Sequence, residues 1–257
     1  MSKFSSCRAA IVASMLAIAA PATLASVVLN GTRVIYPEAE PETTLKLTND
    51  SEVPALVQAW IDDGNLNATP EDTKTPFMLA PPLFRLDGKK GQTLRIVYLG
   101  DALPRDRESL FWLNVLEVPP MAADDGGAAA NSLQLAFRSR IKLMFRPKDL
   151  PGDAGAAPFS VTWRLARKDD GKQVLKATNP TAYHVTFTTV EATAQGHTFS
   201  NDAGAMAAPG ETIEFPIGDT PAVSGEPDTV RFTTIDDYGA AVPGIRRRGN
   251  DLSTVAP

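Results

Sequence analysis

The sequence has 257 residues, with 25 Lys and Arg against 30 Asp and Glu and a formal net charge of −5. This acidic balance argues against nucleic acid as the main partner, because phosphate binding requires a basic surface. The single cysteine is Cys7, so a chain that loses its first residues can form no internal disulfide and relies on one or two ordinary hydrophobic cores.

Residues 1–25 have the features of a secretory signal peptide. Lys3 and Arg8 precede a short apolar core (IVASMLAIAA), and small residues follow it. That core is too short to span a bilayer as a mature helix, so we expect export and no membrane span. Cleavage after Ala25 or after Ala22 fits the small residues there, and the alternative is a buried N-terminal helix. Removal of this segment leaves 23 basic against 30 acidic residues, a net charge of −7.

After the leader, short runs rich in Val, Ile, Thr and aromatic residues alternate with turn-forming pairs such as Asp87-Gly88. This spacing is typical of a β-sandwich rather than of a βαβ repeat. Five runs are predicted to be strands: Thr32–Tyr36, Thr43–Leu47, Ala55–Ile61, Thr93–Leu99 and Leu110–Val118.

The stretch Leu133–Phe145 (LQLAFRSRIKLMF) is predicted to be one long strand. One parity is apolar and the other polar, and the run would span about 43 Å, more than twice a common strand. A sandwich of this size needs about half of that length, which leaves Leu133, Leu135 and Phe137 as an apolar row near a sheet edge. Such a row is an aggregation hazard unless something covers it. The pattern alone leaves two interpretations open, a long core strand or a strand that is added to a partner.

The segment Pro147–Pro158 (PKDLPGDAGAAP) lacks apolar periodicity and is predicted to join two domains. We therefore expect domains at 26–147 and 159–257 with a hinge at 148–158.

The chain end with Arg246-Arg247-Arg248 is expected to be a solvated polar tail, and no internal repeat is clear. Five further strands are predicted at Phe159–Leu165, Gln173–Ala177, His184–Val190, Thr212–Phe215 and Thr229–Ile235.

No catalytic motif emerges from the sequence. There is no Gly-x-Ser-x-Gly, no phosphate loop and no metal-spaced histidine pair, since His184 and His197 fall in separate elements. We therefore predict that the protein is not an enzyme and needs neither a cofactor nor a metal.

The segment Leu103–Pro119 (LPRDRESLFWLNVLEVP) is the most specific motif of the chain. Its Asp106, Glu108-Ser109, Trp112 and Asn114 follow the signature of the periplasmic pilus-assembly chaperones. The sequence resembles this family over nearly all of its mature length. Shorter matches lie at Asn30–Pro37, Ala59–Ile61, Pro81-Pro82, Arg85-Leu86, Ile141–Pro147, Asn179–Thr181, Tyr183 and Ile235–Gly239.

The resemblance implies an all-β fold of two immunoglobulin-like sandwiches set in an L with a cleft between them. It implies a periplasmic chaperone whose clients are pilus subunits that lack their final strand, and which passes them to an outer-membrane usher. Leu133, Leu135 and Phe137 match the donor-strand positions that enter the client's groove. Arg33 and Lys142 match the basic pair that grips the client's C-terminal carboxylate.

The resemblance also assigns Glu108, Arg146 and Asp237 to an ion-pair network between the domains. The segment Pro119–Asn131 is similar to that of the short-loop subgroup, which serves thick rod-like pili. A secreted immunoglobulin-like adhesin or binding module is the alternative, whereas a pilus subunit is disfavoured because the last strand of the first domain is present. The exposed apolar edge makes a self-capping homo-oligomer of the free protein a further hypothesis.

Overall fold

The computed structural model describes residues 26–120, 135–217 and 223–249, together with the backbone of 251–254. Almost all of the regular structure is β-strand, arranged in four sheets. The buried apolar side chains form two separate clusters, one between Val27 and Phe145 and the other between Ala157 and Phe232. The predicted all-β class with two sandwiches is confirmed.

The first sandwich packs a four-stranded sheet of order β1-β3-β7-β5 against a five-stranded sheet of order β2-β9-β8-β4-β6. All of its strand pairs are antiparallel except β2 with β9, which run parallel. The strands are β1 (Val27–Leu29), β2 (Arg33–Pro37), β3 (Thr43–Asn49), β4 (Ala55–Asp62), β5 (Phe77–Ala80), β6 (Leu83–Leu86), β7 (Gly91–Tyr98), β8 (Ser109–Val118) and β9 (Phe137–Arg146).

The second sandwich packs a sheet of order β10-β11-β15 against one of order β13-β12-β16-β17-β18, in which β14 also pairs with β12. A single helical turn leads into it. The elements are α1 (Ala157–Ser160), β10 (Thr162–Arg167), β11 (Gln173–Thr178), β12 (Val185–Ala194), β13 (His197–Asn201), β14 (Ala205–Ala207), β15 (Thr212–Pro216), β16 (Thr229–Ile235), β17 (Ala241–Arg247) and β18 (Asp251–Thr254).

Alternating side chains build the first core. Leu45 and Leu47 of β3 are buried while Lys46 between them is exposed, as period-two geometry requires. Phe145 stacks on Tyr36 and lies 4.5 Å from the Tyr98 ring centroid, so the end of β9 is fixed by aromatic contacts. Full burial of such side chains stabilises the fold by roughly 1.5–3 kcal/mol each.

The two sandwiches share a corner motif that the sequence analysis did not recognise as a repeat. Buried Asn49 accepts from the amide and hydroxyl of Ser51 and donates to the carbonyl oxygens of Val53 and Leu86. In the second sandwich, Asn179 accepts from the amide and hydroxyl of Thr181 and donates to the carbonyl oxygens of Tyr183 and Ala207. Each asparagine thus satisfies the backbone of a tight turn that follows a central strand.

The structure differs from two of the sequence predictions in the second half of the chain. Phe159 was expected to begin a strand, but it lies in α1, which Pro158 helps to start because a proline is tolerated in the first turn of a helix. Arg246 and Arg247 were expected in a solvated tail, but they lie in β17, which is paired with β16 on one side and β18 on the other. The sequence analysis also missed β1, β5, β6, β13, β14, β17 and β18.

Candidate functional site

Strand β9 has one partner along its whole length and a second partner along only half of it. It pairs with β8 from Phe137 to Phe145, but β2 covers only its last part, from Lys142 to Arg146. Among the described residues no other strand pairs with the first half. We call the uncovered backbone of Phe137–Ile141 the open edge. An edge of this kind is a ready template for another strand.

The apolar row of β9 passes from the core to the surface along the open edge. Leu143 and Phe145 are fully buried, and Ile141 packs partly against the same core. Phe137 is 37% exposed and Leu135, just before the strand, is 47% exposed. The apolar side chains of one parity therefore continue beyond the sandwich that they help to build. Leu133, the third predicted donor residue, lies outside the described residues.

The strand is shorter than the predicted Leu133–Phe145, since it runs from Phe137 to Arg146. Its first ladder partner is Glu117, and β8 ends one residue later at Val118. Leu135 therefore has no neighbouring strand in the free chain. A strand without a partner leaves its backbone groups unpaired, which explains why regular structure stops here.

Arg33 and Lys142, which we call the cleft pair, are direct partners in the parallel ladder between β2 and β9. Both side chains reach the second sandwich. Lys142 Nζ donates to Thr186 Oγ1 at 3.0 Å, and Arg33 Nη1 donates to the carbonyl oxygen of Ile235 at 3.0 Å. Arg33 Nε is buried without a hydrogen-bond partner among the described residues. Two adjacent cations with a spare donor form a site suited to an anion.

The charge of the cleft pair is only weakly compensated. Burial and the nearby charge of Arg33 lower the pKa of Lys142 from 10.5 to about 8. Burial also lowers the pKa of Arg33, although Asp237, Asp236 and Glu108 oppose that shift from a distance. Neither side chain forms an ion pair within the part of the chain that the structure describes. A bound carboxylate would supply the missing negative charge.

Beside the cleft pair, Arg146 joins the two sandwiches. Its guanidinium contacts Glu108 Oε1 at 2.7 Å and Asp237 Oδ2 at 2.8 Å, and it lies 5.2 Å from the Tyr183 ring centroid. Burial alone would lower the pKa of Arg146, but hydrogen bonds and charge from Asp237 and Glu108 raise it above its ordinary value. Glu108 Oε2 also accepts from the backbone amide of His184 at 2.8 Å. The three predicted ionic residues are thus brought together, with partners in both sandwiches.

The face of β9 opposite its apolar row, which also carries Lys142 and Arg146, holds a second cluster that sequence reasoning missed. Buried Asp62 accepts from Arg140 and from Asn114, and these hydrogen bonds lower its pKa although burial acts to raise it. The Arg140 guanidinium lies 4.1 Å from the Trp112 ring centroid, and that of Arg138 donates to Asn114. The cluster ties β9 to β4 across β8 and so stiffens the strand that carries the open edge.

The signal for this cluster was a single acid at the end of the apolar strand β4, together with alternating arginines on β9. Neither is specific without the register that places them together.

No group of three or more His, Cys, Asp or Glu side chains among the described residues is placed to hold a metal ion. The described residues also contain no helix long and apolar enough to cross a membrane.

The family models that match the chain are those of pilus-assembly chaperones. Residues 26–151 match "Pili and flagellar-assembly chaperone, PapD N-terminal domain", and residues 156–246 match "Pili assembly chaperone PapD, C-terminal domain". The chaperone protein FimB/FhaD of Bordetella pertussis is 47% identical over 239 residues, which cover 91% of this chain and 93% of that protein.

Two solved structures of chaperones are similar across both sandwiches. The CupB2 chaperone of Pseudomonas aeruginosa has 38% identity and a TM-score of 0.69, and the match covers 86% of this chain and 100% of that one. The complex of Salmonella enterica SafA pilin with the SafB chaperone gives 27% identity and a TM-score of 0.70, over 88% of this chain and 97% of that one. This likeness bears out the expected arrangement of two immunoglobulin-like domains in an L.

The chain therefore belongs to the PapD-like family of pilus-assembly chaperones.

Proposed function

We propose that this protein is a periplasmic chaperone that captures pilus subunits by strand addition at the open edge and passes them to an outer-membrane usher. The observation that carries the proposal is that β9 is half covered, with exposed Phe137 and Leu135 beside its uncovered part. The SafA–SafB complex, a pilin bound to a chaperone of this family, supports it. The alternative of a secreted adhesin has no observation in its favour.

The site defines how a client strand would lie. A strand placed along Phe137–Ile141 would continue the line of β2 at the point where Arg33 begins that strand. If its terminal carboxylate binds the cleft pair, its C-terminus points toward Lys142. The client strand then runs in the same direction as β9, so the added pairing is parallel. One fixed end sets the register of every following pair, and Phe137 and Leu135, with Leu133 by the same parity, enter the client's groove.

The ion-pair network of Glu108, Arg146 and Asp237 would fix the angle between the domains, which we place at 26–147 and 159–257 with a hinge at 148–158. A network of this kind is better suited to fixing geometry than to adding stability. Glu108 and Arg146 lie on the first domain and Asp237 on the second. The network would thus hold the second sandwich where Thr186 and Ile235 complete the cleft.

The location follows from the leader at residues 1–25, whose removal would deliver the chain to the periplasm. The length of the segment Pro119–Asn131 supports membership of the short-loop subgroup, which serves thick rod-like pili. Without a client, the same open edge favours a homo-oligomer in which two copies cover each other's apolar rows. No catalytic step is involved, because the client's own folding provides the free energy.

The experiment is copurification from a periplasmic extract. The tagged chaperone is expressed together with the subunits of its own pilus operon, and bound proteins are identified by mass. We expect stoichiometric complexes with subunits, and their loss in the Leu135→Glu variant. Recovery of the same subunits at wild-type yield with Leu135→Glu would contradict strand addition through this row.

A further inference from the structure

A buried carboxylate far from the cleft holds the start of the first strand. Glu117 of β8 is 6% exposed and faces the interior of the first sandwich. Its two oxygens accept from the backbone nitrogen of Ser26 at 3.2 and 3.1 Å, and one also accepts from the amide of Val27 at 3.0 Å. The Ser26 hydroxyl donates to the same carboxylate. Every hydrogen bond that Glu117 receives through its side chain within the described residues thus comes from Ser26 or Val27.

The contact lacks a positive charge. No Lys, Arg or His among the described residues forms an ion pair with Glu117, and a buried carboxylate without a cation is costly. As long as Ala25 is attached, the Ser26 nitrogen is an amide with a single hydrogen. One hydrogen cannot donate a well-aligned hydrogen bond to both carboxylate oxygens. An α-ammonium group has three hydrogens and a positive charge. The nearly equal distances to both carboxylate oxygens suit that group.

We propose that Glu117 is the binding site for the α-ammonium group that leader removal creates at Ser26. Hydrolysis of the Ala25–Ser26 bond consumes one water, leaves a carboxylate on Ala25 and frees the Ser26 amine, which takes up a proton. The new cation pairs with Glu117 where it already lies. This inference rests on the export that we propose above, and it selects cleavage after Ala25, because cleavage after Ala22 would leave the charge three residues away.

The consequence is that processing completes the first sandwich. Ser26 also accepts from the amide of Asp50 at 2.8 Å, and Val27 pairs with Asn49 in the ladder of β1 with β3. Glu117 belongs to the other sheet, where it pairs with Phe137 at the start of β9. The ammonium–carboxylate pair therefore links the two sheets at the end of the sandwich where the open edge begins. The unprocessed chain has the hydrogen bonds of this link but not its charge pair, and it is therefore the less stable form.

The first test is the identity and reactivity of the mature N-terminus. The full chain is exported, purified from the periplasm and weighed intact, and we expect it to begin at Ser26. An opposite charge in contact commonly shifts a pKa by about one unit or more. At pH 7, acylation of the α-amine should therefore be roughly tenfold slower in the folded protein than in urea or in Glu117→Gln. Glu52→Gln, which changes an exposed glutamate, is the control and should match the wild type.

The second test adds one alanine before Ser26, which moves the ammonium group away from Glu117. We expect the extended chain to melt several degrees lower than the mature chain, and Glu117→Gln to cost much less in the extended chain than in the mature one. A mature chain that begins at Thr23, equal acylation rates in wild type and Glu117→Gln, or an extension without effect on melting would each overturn the proposal. None of these measurements depends on subunit binding. A negative result would therefore contradict the Glu117 proposal and not the chaperone proposal, and loss of the chaperone proposal would not affect these results.

Discussion

Arg33 and Lys142 are direct partners in the parallel pair of β2 with β9, and each side chain reaches across to the second sandwich. Their backbones are fixed by the ladder, so the separation of the two cations does not depend on loop conformation. This placement holds two long flexible cations side by side, as the proposed carboxylate site requires.

Removing either member of the cleft pair should weaken client capture and leave the fold intact. Each charge-assisted hydrogen bond contributes about 1.5–3 kcal/mol, so Arg33→Ala or Lys142→Ala should weaken subunit binding about ten- to hundredfold. The measurement is subunit accumulation in the periplasm together with the melting curve of the purified variant. Lys172→Ala, which removes an exposed lysine of the second sandwich, is the control. Normal subunit levels in both cleft variants would contradict the anchoring role.

Binding should depend on pH through Lys142. Its pKa in the free protein is lowered to about 8, so the site carries its full charge below that value and loses the lysine charge as the pH rises through it. Affinity for a peptide with the subunit's C-terminal sequence should therefore be flat up to about pH 7 and fall above pH 8. Lys142→Arg should remove the fall, because an arginine stays charged. A C-terminally amidated peptide should bind weakly at every pH.

The stability of the free protein should change in the opposite direction. A lysine whose pKa is lower in the folded state binds fewer protons there than in the unfolded chain, so its contribution to the free energy of unfolding rises with pH. The rise belongs to the window between about pH 8 and the unfolded value of 10.5. Denaturant titrations of wild type and Lys142→Met across this window would detect it, and identical pH slopes would contradict the assigned shift.

The contacts of the site, which join residues far apart in the sequence, could be predicted from the sequence far less well than the strands. The interior strands β3, β4, β7 and β8 alternate clearly and were found to within two residues, whereas β5 and β6 are four residues each, flank Pro81-Pro82 and carry little pattern. The pairing of Arg33 with Lys142 is a long-range parallel contact, which no local pattern specifies. Only the family resemblance assigned these residues a common role. Asp62 was missed because an acid at the end of an apolar strand is not specific without the register that brings Arg140 to it.

Charge at the apolar row should block both client binding and self-association. Leu135 is 47% exposed and lies outside the ladder of β8 with β9, so Leu135→Glu should change the free energy of unfolding by no more than about 0.5 kcal/mol. Complexes with subunits should be lost, and sedimentation should show only monomers. Leu66→Glu, at another exposed leucine, is the matched control. If the variant loses subunit binding but its sedimentation is unchanged, the self-capping hypothesis is contradicted and strand addition is not.

The two ends of the ion-pair network should differ in their contribution to stability. Arg146→Ala leaves the Glu108 carboxylate buried, with its side chain 1% exposed and without a basic partner other than His184, and should cost about 3–5 kcal/mol. The Asp237 side chain is 34% exposed, so Asp237→Asn should cost less than about 1 kcal/mol. Denaturant unfolding measures both. Similar costs would mean that Glu108 is not desolvated as the structure indicates.

Residue-resolved hydrogen exchange at the open edge tests the central claim most directly. In the free protein, those amides of Phe137–Ile141 that face away from β8 should exchange quickly, while the amides of Leu143 and Phe145 inside the paired region should be protected. Binding of a pilus subunit should slow exchange at the open edge by several orders of magnitude, because a parallel client strand then accepts their hydrogen bonds. Tight binding of a subunit with no change in exchange at Phe137–Ile141 would contradict strand addition.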